Sequence, residues 1–250
     1  MNYLMGDIGN TNIKICKINK NFKIVKTYLF DTKSKNFDKI LNKNLNNIIQ
    51  KDTNKNALFS SVVPNVYNKI KKILIKNKMK VFEVKKFNLK KLINFKIKKY
   101  SQLGSDRIAN SIGAFYKFKS NCVIIDFGTA TTFDVLIKKT YRGGVIAPGI
   151  KISLNTLSDK ATLIPKINLK KISKIIGVDT ISAVRSGFFW GYAGLIDNIV
   201  NLIKKETGKS FKLVITGGFS NLFKNSIKTK LIQNKEITIK GLIKISKLIK

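Results

Sequence analysis

Asp7-Ile8-Gly9-Asn10-Thr11-Asn12 and Asp126-Phe127-Gly128-Thr129-Ala130-Thr131-Thr132 are two versions of one phrase, an acid followed by glycine and threonine just after a short apolar run. The runs in front, Tyr3-Leu4-Met5 and Val123-Ile124-Ile125, read as buried strands. The residues behind, Ile13 to Ile18 and Phe133 to Ile137, read as a second strand. Each copy therefore predicts a β-hairpin. Its turn offers backbone N–H groups and hydroxyls to a phosphate, and the aspartate at the strand end is placed to hold a cation or its water shell. One such phrase reads equally well as a turn with a polar tip. Two of them, nearly half the chain apart in 250 residues, point to a duplicated domain-sized unit, a cleft between the halves and phosphate binding.

Composition bounds the rest. At 44% hydrophobic residues the chain can bury one real core or two smaller ones without disulfide or metal staples. Lys+Arg number 49 against 13 Asp+Glu, a formal charge of +36, which ordinarily suggests a nucleic-acid or anionic-membrane partner. The distribution argues against a dedicated reader. Lysine is spread over nearly every segment, whereas arginine, whose planar fork suits phosphate and guanine, occurs only at Arg107, Arg142 and Arg185. The charge reads as a residue bias with weak, salt-sensitive polyanion binding as a side effect and no specific nucleic acid. Cys16 and Cys122 lie in apolar, strand-like stretches and read as small buried hydrophobes; with no histidine in the chain they cannot build a metal cluster. The first hairpin begins almost at Met1 and no apolar run approaches membrane-crossing length, so the expectation is a cytoplasmic protein with no membrane partner.

Along the chain, Lys39 to Gln50 predicts a helix with Ile40, Leu41, Leu45, Ile48 and Ile49 inward, and Ala57 to Val63 a buried strand ended by Pro64. A second helix follows over Asn65 to Asn77, then β character at Val81-Phe82-Glu83-Val84. Lys85 to Lys99 reads as a solvated connection with one short helix. Gly104-Ser105-Asp106-Arg107 opens a helix with Ile108, Ile112 and Phe115 on one face and Ser105 as its cap. Asp106 in the first turn suits orienting a substrate hydroxyl or taking its proton, and reads as readily as a plain cap neighbour.

Gly143-Gly144-Val145-Ile146-Ala147-Pro148-Gly149 predicts a loop that approaches a ligand or the other domain, or a simple tight turn. Thr180 precedes a helix with Ala183, Gly187 and Gly191 in register, a small face open to internal packing or a subunit contact. Leu213-Val214-Ile215 leads into Thr216-Gly217-Gly218, where an adenosine could lie against the backbone, with Ser220 capping the next helix. Neither G-x-x-x-x-G-K-[ST] nor G-x-G-x-x-G occurs, so neither a Walker nor a Rossmann nucleotide site is supported.

Taken in order, Asp7-Ile8-Gly9-Asn10-Thr11, Gly104-Ser105-Asp106-Arg107, Asp126-Phe127-Gly128-Thr129-Ala130-Thr131-Thr132, Gly143 through Gly149, Asp179-Thr180 with Ser186-Gly187, and Thr216-Gly217-Gly218 resemble the type III pantothenate kinases of the actin, Hsp70 and sugar-kinase superfamily. The resemblance covers almost the whole chain. It implies an α/β protein of two duplicated ribonuclease-H-like, actin-like domains flanking a nucleotide cleft, with the division placed at 1–115 and 116–250, and a homodimer. The activity implied is ATP-dependent phosphorylation of pantothenate, the first step of coenzyme A synthesis.

The resemblance also implies site residues. ATP phosphates would lie on Asp7, Ile8, Gly9, Asn10, Thr11, Asn12, Ile13, Lys14 and Thr129, with Mg²⁺ or a similar divalent ion accompanying the nucleotide. A monovalent cation, K⁺ or NH₄⁺, would lie on Asp126. Pantothenate would lie on Tyr100, Gly104, Ser105, Asp106, Arg107 and Thr180, with Asp106 the proton acceptor. Ser105 departs from the family's usual alanine. The alternatives are another actin-fold small-molecule kinase or phosphohydrolase, and a non-catalytic regulatory or nucleic-acid-binding descendant; fold analogy does not separate them.

Overall fold

The computed structural model describes residues 2–32, 34, 37–49, 53–227 and 229–249. The chain begins with an antiparallel meander of β1 (Asn2–Ile8), β2 (Asn12–Ile18) and β3 (Ile24–Asp31). Then come α1 (Phe37–Ile48), β4 (Thr53–Ser61), α2 (Pro64–Lys76) and β5 (Lys80–Glu83), with β4 parallel to β1 and β5 parallel to β4. The sheet order is β3-β2-β1-β4-β5. A short strand β6 (Asn94–Phe95) and helix α3 (Ser105–Phe118) follow.

The second unit repeats the plan. Strands β7 (Cys122–Phe127), β8 (Ala130–Ile137) and β9 (Thr140–Pro148) form the meander, followed by α4 (Ile150–Lys160) and the long α5 (Thr180–Thr207). β10 (Lys212–Gly217) runs parallel to β7, and after the one-turn α6 (Ser220–Phe223), β11 (Leu231–Gln233) runs parallel to β10. Within this unit the order is β11-β10-β7-β8-β9, the same succession as in the first unit. Identical order and identical strand senses make the duplication explicit. The fold is the duplicated α/β fold that the paired phrases predict.

Strand periodicity places the cores. In β1, Leu4 and Ile8 face Ile13, Ile15, Ala57 and Phe59 beneath Leu41 and Leu45 of α1 and Ile70 and Leu74 of α2. In the second unit Val123, Ile125, Phe127, Phe133 and Phe189 do the same, with Phe223 stacked on Phe127 and Phe189. The last helix, α7 (Ile237–Ser246), packs on β1 and β4. Contacts accordingly divide the chain into Met1–Lys117 with Glu236–Lys250, and Phe118–Lys235. This differs from the expected division chiefly in assigning the C-terminal helix to the first unit, because the apolar side of α7 is spent on that sheet.

Several local expectations change. Helix α1 turns Leu41, Leu45 and Ile48 inward but leaves Ile40 40% exposed; the expected end at Gln50 lies outside the described residues. Strand β3, which the hairpin reading omits, extends the first sheet. The segment after β5 is not simply solvated, since Leu89, Leu92 and Ile93 are buried. Gly143 to Pro148 is strand and not loop: the glycines sit in β9, with Gly143 at φ 119° where the β8–β9 register shifts. Cys16 and Cys122 are buried and free; burial raises both thiols, Cys122 to about 11, which leaves them unreactive. Among the described residues no helix is long and apolar enough to cross a membrane.

Helices α3 and α7 meet backbone to backbone. A Cβ on Gly241 would overlap the Ala109 carbonyl, and one on Gly113 the Ile237 carbonyl. Beside this crossing Thr238 Oγ1 donates to Asn110 Oδ1 at 2.7 Å. Gly241→Ala is expected to force the helices apart and destabilise the protein by about 1–3 kcal/mol, read as a lower urea midpoint at unchanged slope.

Candidate active site

Asp7 stands at the carboxyl end of β1, on the face opposite the apolar core. It pairs in register with Lys14 of β2 and Ser60 of β4, so the three side chains share that face. Ser60 Oγ donates to Asp7 Oδ1 at 2.9 Å. The turn beyond is closed by Gly9 N donating to Asn12 O at 3.0 Å, and Thr32 supports it by donating from N to Thr11 O and from Oγ1 to Gly9 O. Asn10 and Asn12 are exposed, while Ile8 and Ile13 are fully buried, so these two isoleucines offer a ligand only their backbone.

The start of α3 lies beside this hairpin. Val62 N donates to Ile8 O at 3.1 Å, and a Cβ on Gly104 would stand 3.5 Å from Val62 Cγ1 and collide with the Asp106 carboxylate. Gly104 is glycine because Asp106 folds back over it: Asp106 Oδ1 accepts the Arg107 N–H at 2.7 Å. Burial pushes the Asp106 carboxyl above its ordinary range, opposed by the Arg107 amide and guanidinium and by the charge of Lys85. Tyr100 lies edge-on to Phe95 with ring centres 4.9 Å apart, and burial, with the charge of Glu83, raises its phenol.

Ser105 is not the expected cap. It is 2% exposed, lies inside α3, and its hydroxyl donates to Glu83 Oε1. Glu83 and Lys85 are residues the sequence reading passed over. A usable signal existed, since Glu83 is an acid directly behind the apolar pair Val81-Phe82, as Asp126 is behind Ile124-Ile125.

In the second unit Asp126 occupies the place that Asp7 holds in the first, paired with Thr132 of β8 and Thr216 of β10. Gly217, at φ 85°, passes so close that a Cβ would lie 2.6 Å from Asp126 Oδ1 and from the Phe127 backbone. Gly149 touches the Thr129 carbonyl, fixing the turn that carries Thr129. Ser220 does not cap α6 through an N–H; its hydroxyl donates to Gly217 O at 2.8 Å. Thr180 is the exposed first residue of α5, whose cap is Asp179, accepting from Ser182 N at 2.8 Å. The structure thus gathers Asp7 to Lys14 with Gly104 to Arg107 in the first unit, and carries Asp126, Thr129 and Thr180 in the second.

Residues 3–202 match the family model for type III pantothenate kinase. The chain belongs to the type III pantothenate kinase family. A relative of that name from Pelagibacter ubique (strain HTCC1062) is 61% identical over 99% of both chains. One from Agathobacter rectalis is 32% identical over 94% of this chain and 93% of its own. The inorganic polyphosphate/ATP-glucomannokinase of Arthrobacter sp. strain KM matches with a TM-score of 0.52 over 98% of each chain at 11% identity, a likeness of fold alone.

For this type III pantothenate kinase family member the raised Asp106 carboxyl has a measurable sign. Between its unfolded and folded pKa values the native state binds more protons than the unfolded chain, so stability falls as pH rises through that window. Asp106→Asn is expected to melt above the parent at neutral pH and to lose that advantage below the ordinary aspartate value of 3.8, as followed by thermal melts across pH.

Proposed function

We propose that this protein transfers the γ-phosphoryl group of ATP to the hydroxyl of pantothenate, giving 4'-phosphopantothenate for coenzyme A synthesis, with Asp106 accepting the proton. The observation that carries the reading is the half-buried aspartate at the start of α3, followed by Arg107 and set beside the Asp7 hairpin. Phosphoryl transfer asks for alignment and charge neutralisation more than covalent help. The turn residues Gly9 to Asn12, the backbone of Ile8 and Ile13, the side chain of Lys14, and Thr129 take the ATP phosphates, and Asp7 would meet them through the accompanying divalent ion. The raised carboxyl of Asp106 makes it a better acceptor than an exposed aspartate once it is ionised. Arg107 grips the pantothenate carboxylate with its planar fork. Tyr100, Gly104, the Ser105 backbone and Thr180 complete the pantothenate contacts.

Among the described residues no group of three or more His, Cys, Asp or Glu is placed to hold a metal. Single carboxylates at strand ends nevertheless suit an ion shared with phosphate oxygens, the usual mode for Mg²⁺. Asp7 fits that ion, and Asp126, backed by Gly217, fits a monovalent cation such as K⁺. When bound, such ions neutralise phosphate charge. The same reading puts the enzyme in the cytoplasm.

A coupled ADP-release assay tests the proposal. Release is expected to require pantothenate and to be faster in potassium than in sodium buffer. Asp106→Asn should abolish turnover with ATP affinity within about three-fold of the parent, and Arg107→Lys should raise the pantothenate KM by about ten-fold. Release driven by a sugar, or by water alone, would replace pantothenate kinase with another actin-fold kinase or a phosphohydrolase.

We also infer a homodimer joined through α5. Ala183, Gly187, Gly191 and Gly194 form an exposed stripe along this helix, and nothing lies within 4 Å of where a Cβ would stand on any of the three glycines. Ile181 and Leu202 on the same helix are 40% and 54% exposed. A second copy of the helix can approach closely there. Gly191→Trp is expected to halve the mass seen by light scattering while leaving the circular dichroism unchanged; a dimer mass in that variant would put the interface elsewhere.

A further inference from the structure

The residue before α3 is Gly104, which has no side chain with which to cap the helix, although the first turn carries Asp106 and Arg107. First-turn N–H groups lack intrahelical partners, and an unanchored turn frays. The anchor comes from β5. Glu83, its last residue, accepts the Lys85 N–H on Oε2 at 2.7 Å and the Ser105 hydroxyl on Oε1. Ser105 is buried, so its hydroxyl is committed to this bond and withdrawn from any ligand. Lys85, in the turn that Glu83 closes, donates from Nζ to Ser101 O at 2.9 Å, inside the Tyr100–Gln102 turn. One acid therefore stands behind both flanks of the Gly104 to Arg107 segment.

We propose that Glu83 is a positioning residue for the phosphoryl transfer: through Ser105 it fixes the direction in which Asp106 and Arg107 leave the first turn of α3, and through the Lys85 turn it fixes Tyr100. This deepens the pantothenate reading and rests on it. The charge of Glu83 beside Tyr100 also favours the protonated phenol, a hydrogen-bond donor. The two oxygens divide the work, one holding the strand-end turn and the other the helix. Removing either the Glu83 carboxylate or the Ser105 hydroxyl breaks the same link.

The experiment is a double-mutant cycle on the full-length enzyme with Ser105→Ala, Glu83→Ala and the pair, measuring kcat and KM for each substrate. Each single change is expected to lower kcat/KM for pantothenate by about ten-fold, the pair to be no worse than the poorer single, and the KM for ATP to stay put. Glu83→Gln, which keeps an oxygen for the Ser105 hydroxyl, should retain more activity than Glu83→Ala. Parent-like kinetics in Ser105→Ala, losses that multiply in the pair, or an ATP KM rising in step would overturn the assignment. Should Glu83→Ala fail to fold, Ser105→Ala and Glu83→Gln still decide it. Asp106→Asn separates the two levels. If that variant keeps turnover, the reading of the whole site fails; if it is dead while Ser105→Ala matches the parent, only the role of Glu83 fails.

Discussion

The two-residue period of a β-strand decides where the carboxylates of this protein point. In β1, Leu4 and Ile8 are held by the core beneath α1 and α2, so Asp7 is turned to the opposite face. In β7, Ile125 and Phe127 are held by the core beneath α5, and Asp126 is turned away in the same manner. A slip of one residue in either strand would drive an acid into an apolar core and is therefore strongly disfavoured. The parallel neighbours β4 and β10 then set Ser60 and Thr216 alongside the acids, and the hairpin turns follow from where the strands stop. Ligand sites of open α/β sheets gather at the carboxyl ends of parallel strands, and Asp7, Asp126 and Glu83 all stand at such ends.

The elements legible in the sequence are those whose apolar pattern is unbroken. Leu4-Met5 and Val123-Ile124-Ile125 are buried on both faces and announce themselves. β3 escaped because only Phe30 of its eight residues is buried, although Ile24-Val25-Lys26-Thr27-Tyr28 is rich in β-formers and offered a clue. Glycine content misled at Gly143 to Gly149. In β9 the glycines do not break the strand, and the close approach lies at Gly149, against Thr129. The assignment of α7 to the first unit could not be read from order along the chain, since it depends on Gly113 and Gly241 permitting contact between two helices that are far apart in sequence.

The pairing of Ser105 with Glu83 was beyond reach for a related reason. A serine at a helix start is a good local cap, and local reasoning chooses that role. Tertiary structure offers a carboxylate from β5 instead, and a charge-assisted bond in a buried setting prevails over an exposed one to a backbone amide. The helix that carries Asp106 is thereby tied at its first residue to a side chain outside it.

Two aspartates at helix starts, Asp179 and Asp106, are shifted in opposite directions by how far water reaches them. Asp179 lies fully exposed before α5, and hydrogen bonds from Ser182 hold its carboxyl below the usual range, so it stays ionised and serves the helix. Asp106 occupies the first turn of α3 and also accepts a backbone N–H, yet burial outweighs that bond and moves its carboxyl the other way. With 49 basic residues against 13 acidic ones, the general field of the chain favours ionised carboxylates everywhere. A carboxyl raised against that field must be raised locally, by the wall of residues around it. Helix position alone is therefore silent on function, and desolvation is the variable that distinguishes these two sites. Holding the Asp106 carboxylate out of water costs stability at neutral pH that an exposed cap such as Asp179 does not.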